Sequence, residues 1–319
     1  MIPFNEYDNL TLKQLTGGVR VSPILPFDSP RNNIAPFNEN RGRISLSGAQ
    51  SKYSVRIKEG KFVLTSKGEA GTYILKPAIT DFEKCSESPA NEHLTMQIAR
   101  KVFHIDTAAN ALCFFENGEA AYITRRFDVA QDGSKIQQED FAALGGVSAA
   151  RYGGDYKYTA LSYEDIGALI RRYLPAWKVE MLKFFDLILF NFLFSNGDAH
   201  LKNFSVLRSP QGDYRLSPAY DLIDTHIHLP GDGIFALRKG LFKDGRSFPR
   251  GIGYNDFLEF GIRIGIPEKA VCRELDRFCA DYPEIESMVE SSFLSDSVKQ
   301  EYFTHYHIRL VSYLRKPPK

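Results

Sequence analysis

Ser195-Asn196-Gly197-Asp198-Ala199-His200-Leu201-Lys202-Asn203-Phe204 is the densest polar run of the chain, and it follows directly on the apolar stretch Met181 to Phe194. That stretch is apolar on almost every side, which predicts the buried central helix of a helical unit. The polar run then leaves the helix as a loop. A short strand, turn and strand come next (Ser205 to Leu207, Gly212-Asp213, Tyr214 to Leu216), followed by Ser217-Pro218-Ala219-Tyr220-Asp221-Leu222. Asp198 and Asn203 therefore lie five apart on one loop, and a second Asp follows a hairpin eighteen residues later. Phosphoryl transfer needs a carboxylate beside the attacking hydroxyl, and an amide oxygen and a carboxylate to hold Mg²⁺ on the phosphates.

Protein kinases place their catalytic Asp and Mg-binding Asn at the same interval, in H-R-D-x-x-x-x-N. Here the Arg is missing and the His follows the Asp. Alone, such a pair also fits a turn, where Asp is common. The upstream chain supplies further parts in order. Tyr53, Val55 and Ile57 alternate, Glu59-Gly60 turns, and Phe62 to Leu64 returns, which reads as a hairpin. Tyr73-Ile74-Leu75-Lys76 is a strand stopped by Pro77, and Ser88-Pro89 opens a helix with Ser at the cap and an apolar stripe of Leu94, Ile98, Ala99 and Val102. Strands follow over Ala111 to Phe115 and Tyr122 to Phe127, with Asn117-Gly118 between them. A strand Lys76 facing a helix Glu92 is how kinases fix a cation on the α- and β-phosphates. The small-residue segment Ser45-Leu46-Ser47-Gly48-Ala49-Gln50-Ser51-Lys52 can bring backbone N–H groups against phosphate oxygens.

Composition bounds the class. The chain has 319 residues, 43% apolar and 25% charged, enough for a sizeable core. Forty basic residues against 39 acidic ones leave a net charge of +1, without the basic excess that nucleic-acid binding requires. Four scattered cysteines, Cys85, Cys113, Cys272 and Cys279, predict free thiols in a reducing compartment. The amino terminus shows no secretory signal, and no apolar run has the ~20 residues of a membrane span, so a soluble, cytoplasmic protein is expected. Three textures divide the chain: a Pro- and Asn-rich arm over 1–42, expected to be irregular; a sheet-rich lobe over 43–130; and a helical lobe over 131–319, in which Ser162 to Asp165 reads as a helix cap.

The chain resembles the HipA family of bacterial serine/threonine kinases, the toxin components of toxin–antitoxin pairs. The matching stretches are ISLSGAQSK (44–52), YILKP (73–77), NEHLTMQIA (91–99), RRFD (125–128), QED (138–140), NGDAHLKNFSV (196–206) and PAYD (218–221). The resemblance implies an α+β, two-lobed protein-kinase-like fold that binds ATP and Mg²⁺ between a sheet-rich N-lobe and a helical C-lobe. It implies Asp198 as catalytic base and Asn203 and Asp221 as metal ligands. Lys76, with Glu92, would hold the α/β-phosphates under a cover formed by Ser47, Gly48, Ala49, Gln50, Ser51 and Lys52. His200, Lys202 and Tyr220 would line the cleft, and Arg125, Arg126 and Phe127 would border the adenine through backbone groups. Ser45 falls on the serine that members autophosphorylate. Long members carry an extra amino-terminal subdomain; here the loop begins near residue 44, as in the short, HipT-like branch, where a separate small protein supplies the missing piece.

The resulting expectation is an ATP-dependent protein serine/threonine kinase, the toxin partner of a small helix-turn-helix antitoxin, acting on a translation component such as an aminoacyl-tRNA synthetase. Two rivals are a secreted effector kinase acting on host proteins and a non-catalytic nucleotide-binding scaffold in a repressor complex. The joint presence of Lys76, Glu92, Asp198, Asn203 and Asp221 speaks against the scaffold. Simpler roles are expected for the other conspicuous residues. His226 and His228 lack a third clustered metal ligand, His305 and His307 fall on different helix faces, Trp177 anchors helices, and Arg171-Arg172 closes a helix whose dipole favours cations.

Overall fold

The computed structural model describes residues 6–34, 37, 51–66, 68–130, 132–246, 248 and 251–315. Its N-lobe is built on a five-stranded antiparallel sheet. The strands are β1 (Tyr53–Lys58), β2 (Lys61–Leu64), β3 (Tyr73–Pro77), β4 (Asn110–Phe114) and β5 (Ala120–Arg125), in the order β2-β1-β3-β5-β4. Glu59 and Gly60 both take positive φ and close the first hairpin. The central strand β3 pairs Tyr73 with Arg125 and Lys76 with Tyr122 on β5, and Tyr53 with Leu75 on β1.

Period-two alternation sorts these strands between two cores. Leu112, Phe114 and Tyr122 face the main core, while Ala111, Cys113, Phe115, Ala121 and Ile123 face a second, smaller one. Tyr73 and Leu75 of β3 belong to the smaller core, so Lys76, between Leu75 and Pro77, is turned to the opposite face. There it meets α2 (Ser88–Lys101), the helix inserted between β3 and β4. Ser88 sits within the first turn of α2 rather than at the cap; its hydroxyl donates to Cys85 O and accepts from Ile79 N, securing the loop that leads in.

The arm covers the other face of the sheet with Tyr7, Leu12, Leu15, Val21, Leu25 and Phe37. The expectation of irregular chain over 1–42 needs one correction: Asn9–Thr16 form a helix, α1. Asp8 caps it by accepting from Thr11 N at 2.9 Å, and Gly17 ends it in the left-handed region at φ 73°. No proline falls between Pro3 and Pro23, and burial of Leu12 and Leu15 supplies what eight residues cannot gain alone.

The C-lobe begins with β6 (Gln138–Asp140), which pairs with β7 (Ser205–Arg208) and β8 (Tyr214–Leu216) in a small antiparallel sheet. Three short helices, α3 (Phe141–Leu144), α4 (Ala149–Tyr152) and α5 (Tyr156–Thr159), lead to α6 (Tyr163–Tyr173), which opens on the expected capping box of Ser162 and Asp165. The central helix α7 (Trp177–Leu193) buries Phe184, Phe185, Ile188, Leu189, Phe190 and Phe192. Around it stand α8 (Tyr254–Arg263), α9 (Glu268–Phe278), α10 (Pro283–Glu290), α11 (Asp296–Ile308) and a terminal π-helical stretch, Arg309–Leu314. Arg171 lies over Trp177, 4.8 Å from its ring centroid, where α6 meets the start of α7. Cys85, Cys113 and Cys272 are free thiols, and the Cys279 thiol donates to Leu314 O at 3.5 Å. Among the described residues no helix is long and apolar enough to cross a membrane.

Candidate active site

The polar loop begins where α7 ends. Ser195 turns the chain through the left-handed region at φ 50°, and Asn196 N returns to Asn191 O at 2.8 Å. Asn196 then organises the loop with its side chain. Nδ2 donates to Asn191 Oδ1 at 2.8 Å and to Asp221 O at 3.3 Å, while Oδ1 accepts from Asp198 N at 3.2 Å. Asp221 is itself left-handed, at φ 56°. A non-glycine residue pays of order 1–3 kcal/mol for that conformation, and here it aims the carboxylate at the N-lobe. Two bonds between lobes set the approach: Ala108 N donates to Ala219 O at 2.9 Å and Ala219 N to Asp106 O at 2.8 Å.

Lys76, Glu92 and Asp221 meet in one ion cluster. Lys76 Nζ lies 2.5 Å from Glu92 Oε1 and also bonds Asp221 Oδ1, with the Lys76 and Glu92 side chains 4% and 3% exposed. Lys52 Nζ reaches Asp221 Oδ2 at 3.3 Å, and Asn203 Nδ2 donates to the same oxygen at 3.2 Å. Burial alone would pull the Lys76 ammonium down, but the Asp221 and Glu92 carboxylates outweigh it and hold it above the usual lysine value. Burial likewise pushes Asp221 up, and Lys52 and Lys76 reverse that and hold it well below the usual carboxylate range. Glu92 ends up raised because its burial dominates over the single lysine. At neutral pH the cluster therefore holds a charged lysine between two acids from different lobes.

Asp198 stands apart from that cluster. Its Oδ1 accepts from Tyr158 OH at 2.8 Å, and its carbonyl accepts from His200 N at 2.7 Å. Burial raises the Asp198 carboxyl above its ordinary value, against the Tyr158 hydrogen bond and the Lys157 charge. His200 is buried edge-on to Tyr158 at 5.1 Å, and burial together with Lys157 pushes its imidazole down to about 3, so it is neutral at physiological pH. Lys202 contributes its carbonyl, which accepts from Tyr220 OH at 2.9 Å. The Tyr220 ring lies 5.4 Å from Phe127 and so joins the strand linker to the Asp221 segment. The backbone N–H groups of Arg125 and Arg126 donate to Ala109 O and Thr72 O, and the Arg126 guanidinium grips Asp128 through two bonds, at 2.9 and 2.6 Å. Ser45, Ser47, Gly48, Ala49 and Gln50 lie outside the described residues.

Whether the loop fits a divalent cation turns on Asn203. Its Oδ1 is buried and has no hydrogen-bond partner among the described residues. An orphaned buried amide oxygen is costly unless it serves a ligand. The same amide bonds the Asp221 carboxylate through Nδ2, and an amide oxygen with a carboxylate is the oxygen donor set that Mg²⁺ takes. The pair fits the metal. No group of three or more His, Cys, Asp or Glu able to hold a metal is present among the described residues, His226 and His228 included.

Several contacts of the site carry no mark in the local sequence. Asn91, beside Glu92 on α2, donates to Asp224 O at 2.9 Å and accepts from Asp224 N at 3.1 Å, clamping the helix to the chain just past Asp221. Asp224 continues to His305 on α11 at 2.8 Å. Tyr158 lies forty residues from the carboxylate it touches. Gly197 is required by close approach: a β-carbon there would stand 2.6 Å from Gly233 O and nearer still to the Asp232 carboxylate. Gly197→Ala is expected to cost about 1–3 kcal/mol through that overlap. A melting temperature equal to wild type would refute it.

A model of the HipA-like C-terminal domain matches residues 44–285. The protein Y4mE of Sinorhizobium fredii, provisionally named a kinase, is 35% identical over 203 residues, which are 62% of this chain and 46% of that one. A protein of Haemophilus influenzae, also provisionally named a kinase, is 28% identical over 304 residues, covering 89% of this chain and 85% of its own length. The chain thus spans about half of the first relative and most of the second. Among solved structures, the HipA toxin–antitoxin complex of Shewanella oneidensis, with HipB and operator DNA, superposes with a TM-score of 0.65 at 22% identity, over 85% of this chain and 64% of that one. The likeness establishes an α+β, kinase-like fold.

Proposed function

This chain belongs to the HipA-like C-terminal domain family, and from that premise we propose that it is an ATP- and Mg²⁺-dependent protein serine/threonine kinase. The observation that carries the reading is the Lys76–Glu92–Asp221 cluster with Asn203 against Asp221, faced by a separate carboxylate, Asp198. The parts come from β3, α2, the loop after α7 and the segment after β8, and no structural need calls for all of them together.

In this reading Asp198 orients the acceptor hydroxyl and takes its proton, which its raised affinity for protons favours. Lys76, held by Glu92, places its ammonium on the α- and β-phosphates. Asn203 Oδ1 and the Asp221 carboxylate would hold Mg²⁺, which supplies neutralisation of phosphate charge. Phe127 and Tyr220 border the nucleotide, with Arg125 and Arg126 presenting backbone atoms. Ser47 to Lys52 cover the phosphates. The cellular role is that of a cytoplasmic toxin restrained by a small antitoxin, with a protein of the translation apparatus, such as an aminoacyl-tRNA synthetase, as target. Purified protein incubated with Mg²⁺ and γ-labelled ATP tests the activity, and phosphoproteomics after brief expression identifies the target. Absence of transfer to any protein, itself included, would sink the reading.

Regulation is proposed through Ser45. A phosphate adds about −1.5 to −2 charge at neutral pH, which repels the phosphates of ATP and drives the covering loop from the cleft; Arg43 and Arg41 are near enough in sequence to hold it outside. Wild type is expected to gain one phosphate in intact-mass spectrometry after incubation with Mg-ATP, and Ser45→Ala to gain none. A phosphate that persists in Ser45→Ala but vanishes in Ser47→Ala would move the switch to Ser47.

A further inference from the structure

Among the described residues Asp198 has one side-chain hydrogen-bond partner from outside its loop, the Tyr158 phenol on α5, which donates to Oδ1 at 2.8 Å. The segment that carries Tyr158 is pinned on both sides. Leu201 N, within the polar loop, donates to Lys157 O at 3.2 Å, and Arg238 N, beyond Asp221, donates to Tyr158 O at 2.9 Å. The ring packs edge-on to His200 at 5.1 Å, and Lys157 Nζ lies 4.6 Å from its centroid. So the phenol is fixed by backbone, ring and cation before it touches the acid.

A carboxylate rotates broadly about its terminal torsion, while proton abstraction demands an oxygen within hydrogen-bond reach of the hydroxyl. Resting on the kinase reading above, we propose that Tyr158 is a positioning residue: its phenol holds Oδ1 of Asp198 so that Oδ2 is presented to the acceptor hydroxyl. A neutral donor suits the task, since it orients the carboxylate without cancelling the charge that makes it a base. Lys157 faces the same carboxylate from α5, and Asp221 and Asp232 face it from the downstream segment. Of these groups only Tyr158 is hydrogen-bonded to it.

Tyr158→Phe keeps the ring against His200 and Lys157 and removes only the donor. Two measurements separate positioning from packing. One is single-turnover transfer from Mg-ATP, to water and to the protein itself; the other is equilibrium binding of a fluorescent ATP analogue. The variant is expected to lose about ten- to hundredfold in rate with nucleotide affinity within about twofold of wild type. In the Asp198→Asn background the same substitution should change nothing further. A rate within about twofold of wild type, a loss carried by nucleotide affinity, or an additional loss beside Asp198→Asn would each overturn the proposal. Phosphate found on Tyr158 itself would overturn it too, making the phenol an acceptor. A wild type that neither binds the analogue nor transfers phosphate would instead overturn the kinase reading, and this inference with it.

Discussion

Asp198→Asn is expected to lower phosphoryl transfer by about 10²–10⁴-fold, the usual contribution of a general base, while leaving the melting temperature equal or higher. The substitution keeps side-chain volume and an oxygen able to accept from Tyr158 OH. It leaves Lys76, Asn203 and Asp221 untouched, so nucleotide binding should persist. The sign of the stability change follows from burial, which raises this carboxyl above its ordinary value. A carboxyl whose native pKa is raised favours the fold when protonated and opposes it when ionised. The neutral amide removes that opposition at neutral pH. Transfer within about tenfold of wild type, measured with γ-labelled ATP at saturation, would remove Asp198 from the base role.

The second large effect is expected at Lys76. Lys76→Met retains the stem of the side chain and leaves the Glu92 and Asp221 carboxylates facing one another without the cation between them. Breaking a buried pair by removing one partner costs about 3–5 kcal/mol, and for a chain of this size the melting temperature should fall by roughly 5–15 °C. The defect should depend on pH. Without Lys76 the buried Glu92, already raised by desolvation, rises further; its ionised form opposes folding, so the loss is largest above its native pKa and shrinks as pH falls through it. Glu92→Gln added to Lys76→Met should recover most of the stability at neutral pH. It should not recover nucleotide affinity, expected to be about ten- to hundredfold weaker for want of the charged donor. Recovery of both would reduce the lysine to a structural counter-ion; unchanged affinity in Lys76→Met alone would do the same.

The order of the elements and most of the site were legible in the sequence because they are governed by short intervals. Four residues of loop between Asp198 and Asn203 cannot carry them far apart, and a two-strand hairpin brings Asp221 back beside them, where Asn203 Nδ2 meets its carboxylate. Lys76 was marked by a strand ending at Pro77, and Glu92 by a helix opening at Ser88-Pro89. Two local readings failed for local reasons. The composition of 1–42 concealed α1, because a helix of eight residues depends on the sheet face that buries Leu12 and Leu15 rather than on its own propensity. The cap expected at Ser88 fell one residue short because its hydroxyl is taken by Cys85 O and Ile79 N.

Other features required the packed chain. Asn91 clamps Asp224 across 133 residues, His305 closes on Asp224 across 81, and Tyr158 meets Asp198 across 40. None of Tyr158, Asp224 and His305 belongs to a spaced motif, and nothing in the stretch 91–99 marks Asn91 as the partner of Asp224, since each partner is chosen by how helices and loops stack. Even the pairing of Lys76 with Asp221, 145 residues apart, depends on the left-handed turn at Asp221 and the two backbone bonds that dock Ala219 on the N-lobe. The sequence by itself determined which side chains make up the candidate site and on which elements they ride, because covalent spacing bounds neighbours along the chain. Only the tertiary structure decided which oxygen faces which cation and which donor meets the Asp198 carboxylate, because those distances are set by packing between segments remote in sequence.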